Sequence, residues 1–133
     1  MLLVRTVLGQ SRKHGIGLFA DQFIPKDTLT WEYAPWFDIS FTQEDLDKMS
    51  AEAREQVLWY GYFDKKINKF VLPSDDLRFI NHSENSGDIN IESTPARDVA
   101  LRDIQPGEEL LCNYNKFDDD FFNRKGLRPA DLL

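Results

Sequence analysis

The chain has little cysteine and little histidine. Its 133 residues include one cysteine, Cys112, and two histidines. A single cysteine excludes an intramolecular disulfide, and it also excludes a structural zinc site built from several thiolates. The composition is therefore typical of an intracellular protein without a metal site, and we expect a cytoplasmic location.

Basic charge and long hydrophobic runs are also scarce. The sequence has 16 lysines and arginines against 23 aspartates and glutamates, which gives a formal net charge of −7. This excess of negative charge repels a phosphate backbone and favours a basic partner. The apolar run within residues 1–10 is shorter than the core of a signal peptide, and no later run has the length of a membrane span. The sequence predicts a soluble protein that binds neither nucleic acid nor membranes.

Short apolar segments are what the chain contains in quantity. Hydrophobic residues make up 41% of the sequence, enough for one compact core in a chain too short for two ordinary domains. Turn residues separate these segments, which indicates a mainly β fold in one domain spanning residues 1–133. Strands are predicted at residues 2–8, 17–20, 29–33, 70–72, 89–92, 99–103 and 109–114. The central block differs, because Thr42 and Ser50 are placed to cap two helices in an insert over about residues 42–59.

Three short motifs follow one another along the chain. They are GIGLFA at residues 15–20, RFINHS at residues 78–83 and GEELLCNY at residues 107–114. The first is weak by itself, because two glycines without a third glycine and a following helix are not a dinucleotide fingerprint and favour a tight turn or bulge. The second places His82 between an apolar pair and a strand, where either a buried histidine with local hydrogen bonds or a ligand contact is expected. The ordered combination of all three motifs is far more specific than any one of them.

Taken together, the motifs resemble the SET domain of protein-lysine methyltransferases. The likeness is strongest to the short stand-alone SET proteins of bacteria and viruses, which have no zinc-binding segment after the catalytic tyrosine. IPKD at residues 24–27 and the pair Glu32-Tyr33 fit the same pattern, so the resemblance spans about residues 4–117. It implies a mainly β SET-domain fold, similar to a β-clip, with small curled sheets around a threaded pseudoknot core. The segment at about residues 115–133 is then expected to form a C-terminal lid.

The resemblance also implies an activity and a partner. The implied reaction is transfer of a methyl group from the cofactor S-adenosylmethionine to the side-chain amine of a lysine. The implied partner is a protein substrate whose lysine lies in a basic or flexible segment, and by analogy the chain is a monomer or a homodimer. An alternative with the same fold is a catalytically inactive module that binds a peptide or senses the cofactor. A third is a small all-β interaction domain without a cofactor, which requires the motif matches to be coincidental.

The resemblance assigns roles to individual residues. Tyr114 is expected to be the principal catalytic residue, with Tyr33 as a second one. A tyrosine with an ordinary pKa of about 10 is a poor general base at neutral pH, so we expect Tyr114 to align the amine instead of taking its proton. The expected cofactor contacts are Ile16, Gly17, Leu18, Asn81, His82, Tyr114 and Phe117. The expected lining of the substrate channel is Tyr33, Tyr62 and Cys112.

The chain departs from the family pattern in three places. The proline and asparagine that often follow the Asn-His-Ser motif are missing, so Asn90 is a candidate to replace the lost amide. Cys112 stands where the family often has phenylalanine or tyrosine, and its small thiol leaves room for successive methylation unless Tyr60, Tyr62 or another ring fills the gap. With a single cysteine the chain cannot close its site with a zinc segment. Phe117 or Phe121 is expected to cover the adenine or the lysine channel, unless they pack in an ordinary C-terminal helix.

Overall fold

In the computed structural model residues 1–118, 120 and 121 are described, and they form ten short strands and two α-helices. The strands are β1 (Thr6–Gln10), β2 (Ile16–Ala20), β3 (Leu29–Glu32), β4 (Ile39–Phe41), β5 (Tyr62–Asp64), β6 (Lys69–Leu72), β7 (Asn81–His82), β8 (Ile91–Ser93), β9 (Arg97–Ala100) and β10 (Leu111–Cys112). The helices are α1 (Gln43–Lys48) and α2 (Ala51–Tyr60), and two 3-10 turns lie at Asp76–Phe79 and Tyr114–Lys116. The prediction of a mainly β fold with a central helical insert is confirmed. No helix of this part of the chain is long and apolar enough to cross a membrane.

Small antiparallel sheets carry most of the strands. β1 and β2 form a hairpin in which Thr6 lies opposite Ala20 and Gln10 opposite Ile16. β9 lies between β3 and β8 in a second sheet, and β6 lies between β4 and β5 in a third. Strands from all three sheets and the threaded segment described below share one core. Its buried side chains are Leu18, Ala20, Ile24, Trp31, Tyr62, Val71, Leu77, Ile80, Ile91, Ala100, Ile104, Leu110 and Cys112.

The helical insert begins at a capping box. The Thr42 hydroxyl accepts a hydrogen bond from the Asp45 backbone N–H at 3.1 Å, and the Asp45 carboxylate accepts one from the Thr42 N–H at 2.8 Å. Ser50 caps α2 through its side chain. Both caps predicted from the sequence are confirmed, because each hydroxyl satisfies a backbone donor that the first helical turn leaves unpaired. The insert covers a second core made by Leu46, Val57 and Phe70.

The two turn segments at residues 24–27 and 104–107 pair with each other. The N–H of Ile24 donates to the carbonyl of Ile104 at 2.9 Å, and the N–H of Ile104 donates back at 2.8 Å. Both isoleucine side chains are fully buried. Asp27 and Gly107 have positive φ angles of 67° and 89°, so each segment leaves the bridge through a left-handed residue. This bridge holds the start of the last motif beside the β2 strand.

The last motif threads between two earlier parts of the chain. β10 pairs in parallel with β7, and the N–H of Ser83 donates to the Cys112 carbonyl at 3.0 Å. On the other side the Asn90 amide donates to the Glu109 carbonyl and accepts from the Leu111 N–H, both at 2.8 Å. The buried side-chain amide of Asn90 therefore binds the backbone of the threaded segment, although the chain lacks the usual proline and asparagine.

Several strands differ in length from the predicted segments. The segment predicted at 109–114 is reduced to the two residues of β10, because the Asn113 side chain caps a 3-10 turn that begins at Tyr114. β4 and β5 were not predicted, since three residues are too few for an alternating pattern to be read. Most of the predicted C-terminal lid lies outside the described residues.

Candidate active site

Tyr114 stands where the threaded strand ends. Its hydroxyl donates a hydrogen bond to the carbonyl of Ile80, and its backbone N–H donates to Nδ1 of His82 at 3.0 Å. Burial raises the pKa of the Tyr114 hydroxyl well above its ordinary value, so this group stays protonated at neutral pH. The geometry therefore gives an anchored phenol whose raised pKa is unfavourable for a general base at neutral pH.

His82 positions Tyr114 through its imidazole. The side chain is buried, and burial lowers the pKa of His82 despite the opposing charge of Glu84. A neutral imidazole accepts at the nitrogen that carries no proton, which is what the bond from the Tyr114 N–H requires. The ring centroids of His82 and Tyr114 lie 5.1 Å apart. His82 itself lines neither of the two cavities described next, and its predicted cofactor contact stays a prediction.

Two cavities meet at Tyr114. We call the first the cleft; it is lined by His14, Gly15, Ile16, Trp59, Tyr60, Arg78, Phe79, Asn81, Tyr114 and Phe121. We call the second the inner cavity; it is lined by Trp31, Trp59, Tyr60, Gly61, Tyr62, Pro73, Leu77, Arg78, Ile80, Ser93, Thr94, Asp98, Tyr114, Phe117 and Phe121. Five residues belong to both linings and form a shared wall: Trp59, Tyr60, Arg78, Tyr114 and Phe121. One anchored tyrosine thus faces two spaces of different chemical character.

The glycine motif forms one side of the cleft, and Asn81 holds it in place. The Asn81 amide nitrogen lies 2.9 Å from the carbonyl oxygen of His14 and 3.1 Å from that of Ile16. The same nitrogen lies 3.2 Å from a carboxylate oxygen of Glu109, which also accepts a hydrogen bond from the Ser11 hydroxyl at 2.6 Å. This network joins the first, second and third motifs at the mouth of the cleft.

Gly17 leaves room for that network, and Gly17→Ala is expected to disrupt it. A Cβ atom at this position would lie 2.3 Å from the Glu109 carboxylate oxygen and 3.0 Å from the Ser11 side chain. Glu109 has to move, and its bonds to Ser11 and Asn81 are lost. We expect the unfolding free energy to fall by about 1–3 kcal/mol, measured by urea denaturation.

Gly87→Ala is the matched control for this substitution. Its Cβ would meet only the Asn85 side-chain oxygen, at 3.2 Å. An equal loss of stability in both variants would contradict the proposed crowding at Gly17.

The structure places half of the predicted site residues in the linings of the two cavities: Ile16, Tyr62, Asn81, Tyr114 and Phe117. Ile16 is 53% exposed and lines the cleft, whereas Leu18 is fully buried in the core. Tyr62 lines the inner cavity and its hydroxyl donates to the Pro95 carbonyl at 2.6 Å. Phe117, predicted as a cofactor contact, lines the inner cavity instead of the cleft. Its ring packs against those of Tyr62 and Tyr114.

Two predicted channel residues lie outside both cavities. Tyr33 is half-buried against the main core, and its N–H donates to the Ala96 carbonyl at 2.8 Å. Cys112 is the last residue of the threaded strand and is fully buried, and burial raises the pKa of its thiol. The geometry thus gives neither residue the channel position expected from the sequence, because their side chains turn into the core. The successive methylation inferred from the small thiol stays a prediction.

Sequence reasoning missed several residues that the structure places at the site. Glu109 lies within the third motif, residues 107–114, and the pair Glu108-Glu109 in that motif was the available signal. Trp59 lies near the end of α2 and reaches the shared wall, which an amphipathic pattern in the insert does not reveal. Asp98 lies in the inner cavity, and nothing in its neighbouring sequence distinguishes it from a surface aspartate. Within the described ranges, no group of three or more histidine, cysteine and acidic side chains is arranged to hold a metal ion.

The small sheets, the threaded strand and the tyrosine between two cavities define a SET domain. Residues 15–115 match the SET domain family, and the chain belongs to that family. A histone-lysine N-methyltransferase specific for lysine 36 of histone H3, from Mycosarcoma maydis, is 31% identical over 114 residues, which are 80% of this chain and 12% of that protein.

Solved structures show the same fold. A humanized mutant of the Chaetomium thermophilum Polycomb Repressive Complex 2 bound to an inhibitor has a TM-score of 0.62 and 25% identity, over 86% of this chain and 15% of that one. The ctPRC2 complex in an autoinhibited conformation bound to S-adenosylmethionine has a TM-score of 0.64 and 22% identity, over 92% of this chain and 16% of that one. The chain therefore corresponds to less than a fifth of the length of these relatives.

Proposed function

We propose that the chain is an S-adenosylmethionine-dependent methyltransferase that acts on the side-chain amine of a lysine in a protein. The observation that carries the proposal is the shared wall, in which Tyr114 faces both the cleft and the inner cavity. A two-substrate transfer needs one group that touches both reactants and holds them in line. The named relative is a histone-lysine methyltransferase, which supports the same reaction class.

The residues of the cleft fit S-adenosylmethionine. Its methionine part carries a carboxylate and an ammonium group, and its adenosine part is a flat ring system with polar edges. Gly15 and Ile16 offer exposed backbone beside the Asn81 amide, and Arg78 offers a guanidinium for the carboxylate. Phe79 and Tyr60 supply aromatic surface, and their rings lie 5.4 Å apart. When bound there, the cofactor supplies a methyl group activated by a sulfonium charge.

The inner cavity fits an extended alkyl amine. Its walls are largely aromatic, and the Tyr114 hydroxyl and the Ile80 carbonyl are already joined at its edge. The amine has to be neutral to react. Removing the proton from a lysine of pKa about 10.4 costs about 4–5 kcal/mol of free energy at pH 7. A dry site next to a positive charge lowers that free energy. Tyr114 and Ile80 are proposed to orient the amine towards the cleft.

The substrate is proposed to be a protein segment with basic residues around the lysine. The formal net charge of −7 attracts such a segment over a distance of about a Debye length. The exposed acidic residues of the insert, Glu44 and Asp47, contribute to this charge. The charge alone does not select a particular substrate.

Calorimetric titration of S-adenosylmethionine tests the proposal. The wild type is expected to bind saturably, and Asn81→Ala is expected to bind at least tenfold more weakly, because the glycine backbone loses the amide that holds it. Asn85→Ala makes the same change in an exposed loop and should bind like the wild type. A radiolabelled methyl donor with lysine-rich peptides then measures transfer.

Two outcomes distinguish the proposal from its alternative. Binding of the cofactor without methyl transfer to any basic protein or peptide supports an inactive module that senses the cofactor. No binding of the cofactor to folded protein rules out both the enzyme and the cofactor sensor.

A further inference from the structure

The inner cavity contains a carboxylate that the proposed reaction has not used. Asp98 lies on β9, its exposed fraction is 3%, and its side chain lines the cavity. Within the described residues its carboxylate has neither an ion pair nor a hydrogen bond of normal length. The Ser93 hydroxyl and the amino terminus are the nearby groups that stabilise its charge. A carboxylate buried without a counter-ion destabilises a fold by several kcal/mol unless a ligand or water completes it.

Two other polar groups of the same cavity are also incomplete. The Trp31 indole nitrogen and the Ser93 hydroxyl are buried, and neither has a hydrogen-bond partner among the described residues. Both residues line the inner cavity with Asp98. Native proteins pair nearly all such groups, so three of them facing one space indicate that a polar ligand or water enters it.

No cation among the described residues forms an ion pair with the Asp98 carboxylate. Within the described part of the cavity lining, Asp98 is the one acidic residue and Arg78 the one basic residue. The Arg78 guanidinium is directed to the Pro73 carbonyl, at 2.8 Å, and forms no ion pair with Asp98 in the described structure. The remaining walls are largely aromatic and include Trp31 and Tyr62. A carboxylate at the wall of an aromatic cavity is a binding site for an alkylammonium ion.

We infer that Asp98 is the residue that receives the ammonium group of the substrate side chain in the inner cavity. The inference rests on the proposed function and concerns the entry of the charged amine into the inner cavity. The amine then has to lose its proton before Tyr114 and Ile80 orient it for transfer. Trp31 and Tyr62 contact the alkyl part and the edge of the cation, and Ser93 completes the polar contact. A neutral side chain of the same length finds the same apolar walls but leaves the carboxylate unpaired.

The electrostatics of Asp98 agree with this role. Burial raises the pKa of Asp98 to about 7, against the stabilising effect of the Ser93 hydroxyl. Without a ligand the Asp98 carboxyl is therefore only partly ionised at neutral pH. A cation bound beside it stabilises the ionised form. Replacing it by an apolar residue would remove the unfavourable burial, so its presence is better explained by binding than by stability.

Small probes test the inference without knowledge of the substrate. n-Butylammonium chloride represents the end of a lysine side chain, and 1-butanol is its neutral counterpart. Binding is followed by NMR shifts of the Ser93 and Asp98 backbone amides. We expect the wild type to bind n-butylammonium at least tenfold more tightly than 1-butanol, because a charge-assisted hydrogen bond is formed only with the cation.

Asp98→Asn is expected to remove this preference while affinity for 1-butanol stays within twofold. Glu92→Gln is the matched control, because it removes one negative charge from an exposed position on β8 next to Ser93. Equal binding of both probes by the wild type overturns the inference, and so does a preference that survives in Asp98→Asn. The wild-type comparison decides the question even if the variant does not fold.

The outcomes also separate this inference from the proposed function. Methyl transfer to lysine peptides with an unchanged peptide affinity in Asp98→Asn overturns the role of Asp98 and leaves the enzyme in place. Selective binding of n-butylammonium by a protein that does not bind S-adenosylmethionine overturns the enzyme and leaves the ammonium site.

Discussion

Tyr114→Phe is expected to lower the rate of methyl transfer by about 10²- to 10³-fold while the affinity for S-adenosylmethionine stays within about threefold. The substitution removes the hydroxyl that donates to the Ile80 carbonyl and leaves the ring in both cavities. The cleft keeps its aromatic wall, so cofactor binding is retained. The inner cavity loses the group that orients the amine, and a reaction that depends on alignment slows sharply.

The measurement is a single-turnover rate with a saturating lysine peptide, together with calorimetry of cofactor binding. Tyr33→Phe makes the same chemical change at a tyrosine that lines neither cavity, and its rate is expected to fall less than tenfold. Equal losses in the two variants would show that Tyr33 reaches the reacting groups, as the family resemblance implies. A loss of cofactor affinity in Tyr114→Phe would place the hydroxyl in the cofactor site instead.

Asp98→Asn is expected to raise the unfolding free energy by about 2–4 kcal/mol at pH 8 and to change it little at pH 4. Burial raises the pKa of this carboxyl in the folded protein to about 7, whereas the unfolded chain has an ordinary value near 3.8. Below the unfolded pKa both states are protonated, and the contribution of the neutral carboxyl is fully present. The wild type loses that contribution as the pH rises through the folded pKa, and the asparagine variant does not.

Urea denaturation at pH values from 4 to 8 measures this difference. The stability gap between Asp98→Asn and the wild type should open between about pH 4 and 7. Glu92→Gln makes the same change of charge at an exposed position, and its unfolding free energy should depend on pH as that of the wild type does. A stability difference that is constant across the range would show that folding does not raise the pKa of the Asp98 carboxyl. Together with a loss of ammonium binding, a stabilised variant would show a binding group kept at the expense of stability.

Local features of the fold were readable because they depend on near neighbours. Thr42 and Ser50 cap their helices through contacts three residues away, which the sequence shows directly. The segment at 24–27 was recognised as part of the family pattern, although its pairing with residues 104–107 was not. The fold class followed from the order of three motifs, and the match over residues 15–115 confirms the family.

The candidate site was less readable because it depends on long-range register. The bond from Tyr114 to Ile80 joins residues 34 positions apart, and the network of Asn81 joins His14 across 67 positions. Motif matching proposed Tyr114 and Asn81 for the site, and both line the cleft, whereas Tyr33 and Cys112 line neither cavity. Alternation along a strand decides which side chains face a cavity, and a shift of one residue reverses the answer.

The sequence by itself determined the family, the helix caps, the acidic balance and the residues around which a cofactor site is expected, since each is a property of composition or of short spacing. Only the tertiary structure decided that β10 runs between β7 and Asn90, that the two cavities share one wall, and that Asp98 faces the inner one. The physical reason is that burial and charge at a point in space are sums over parts of the chain that lie far apart in sequence. A local sequence pattern therefore does not predict the burial or the charge environment of a side chain such as Asp98.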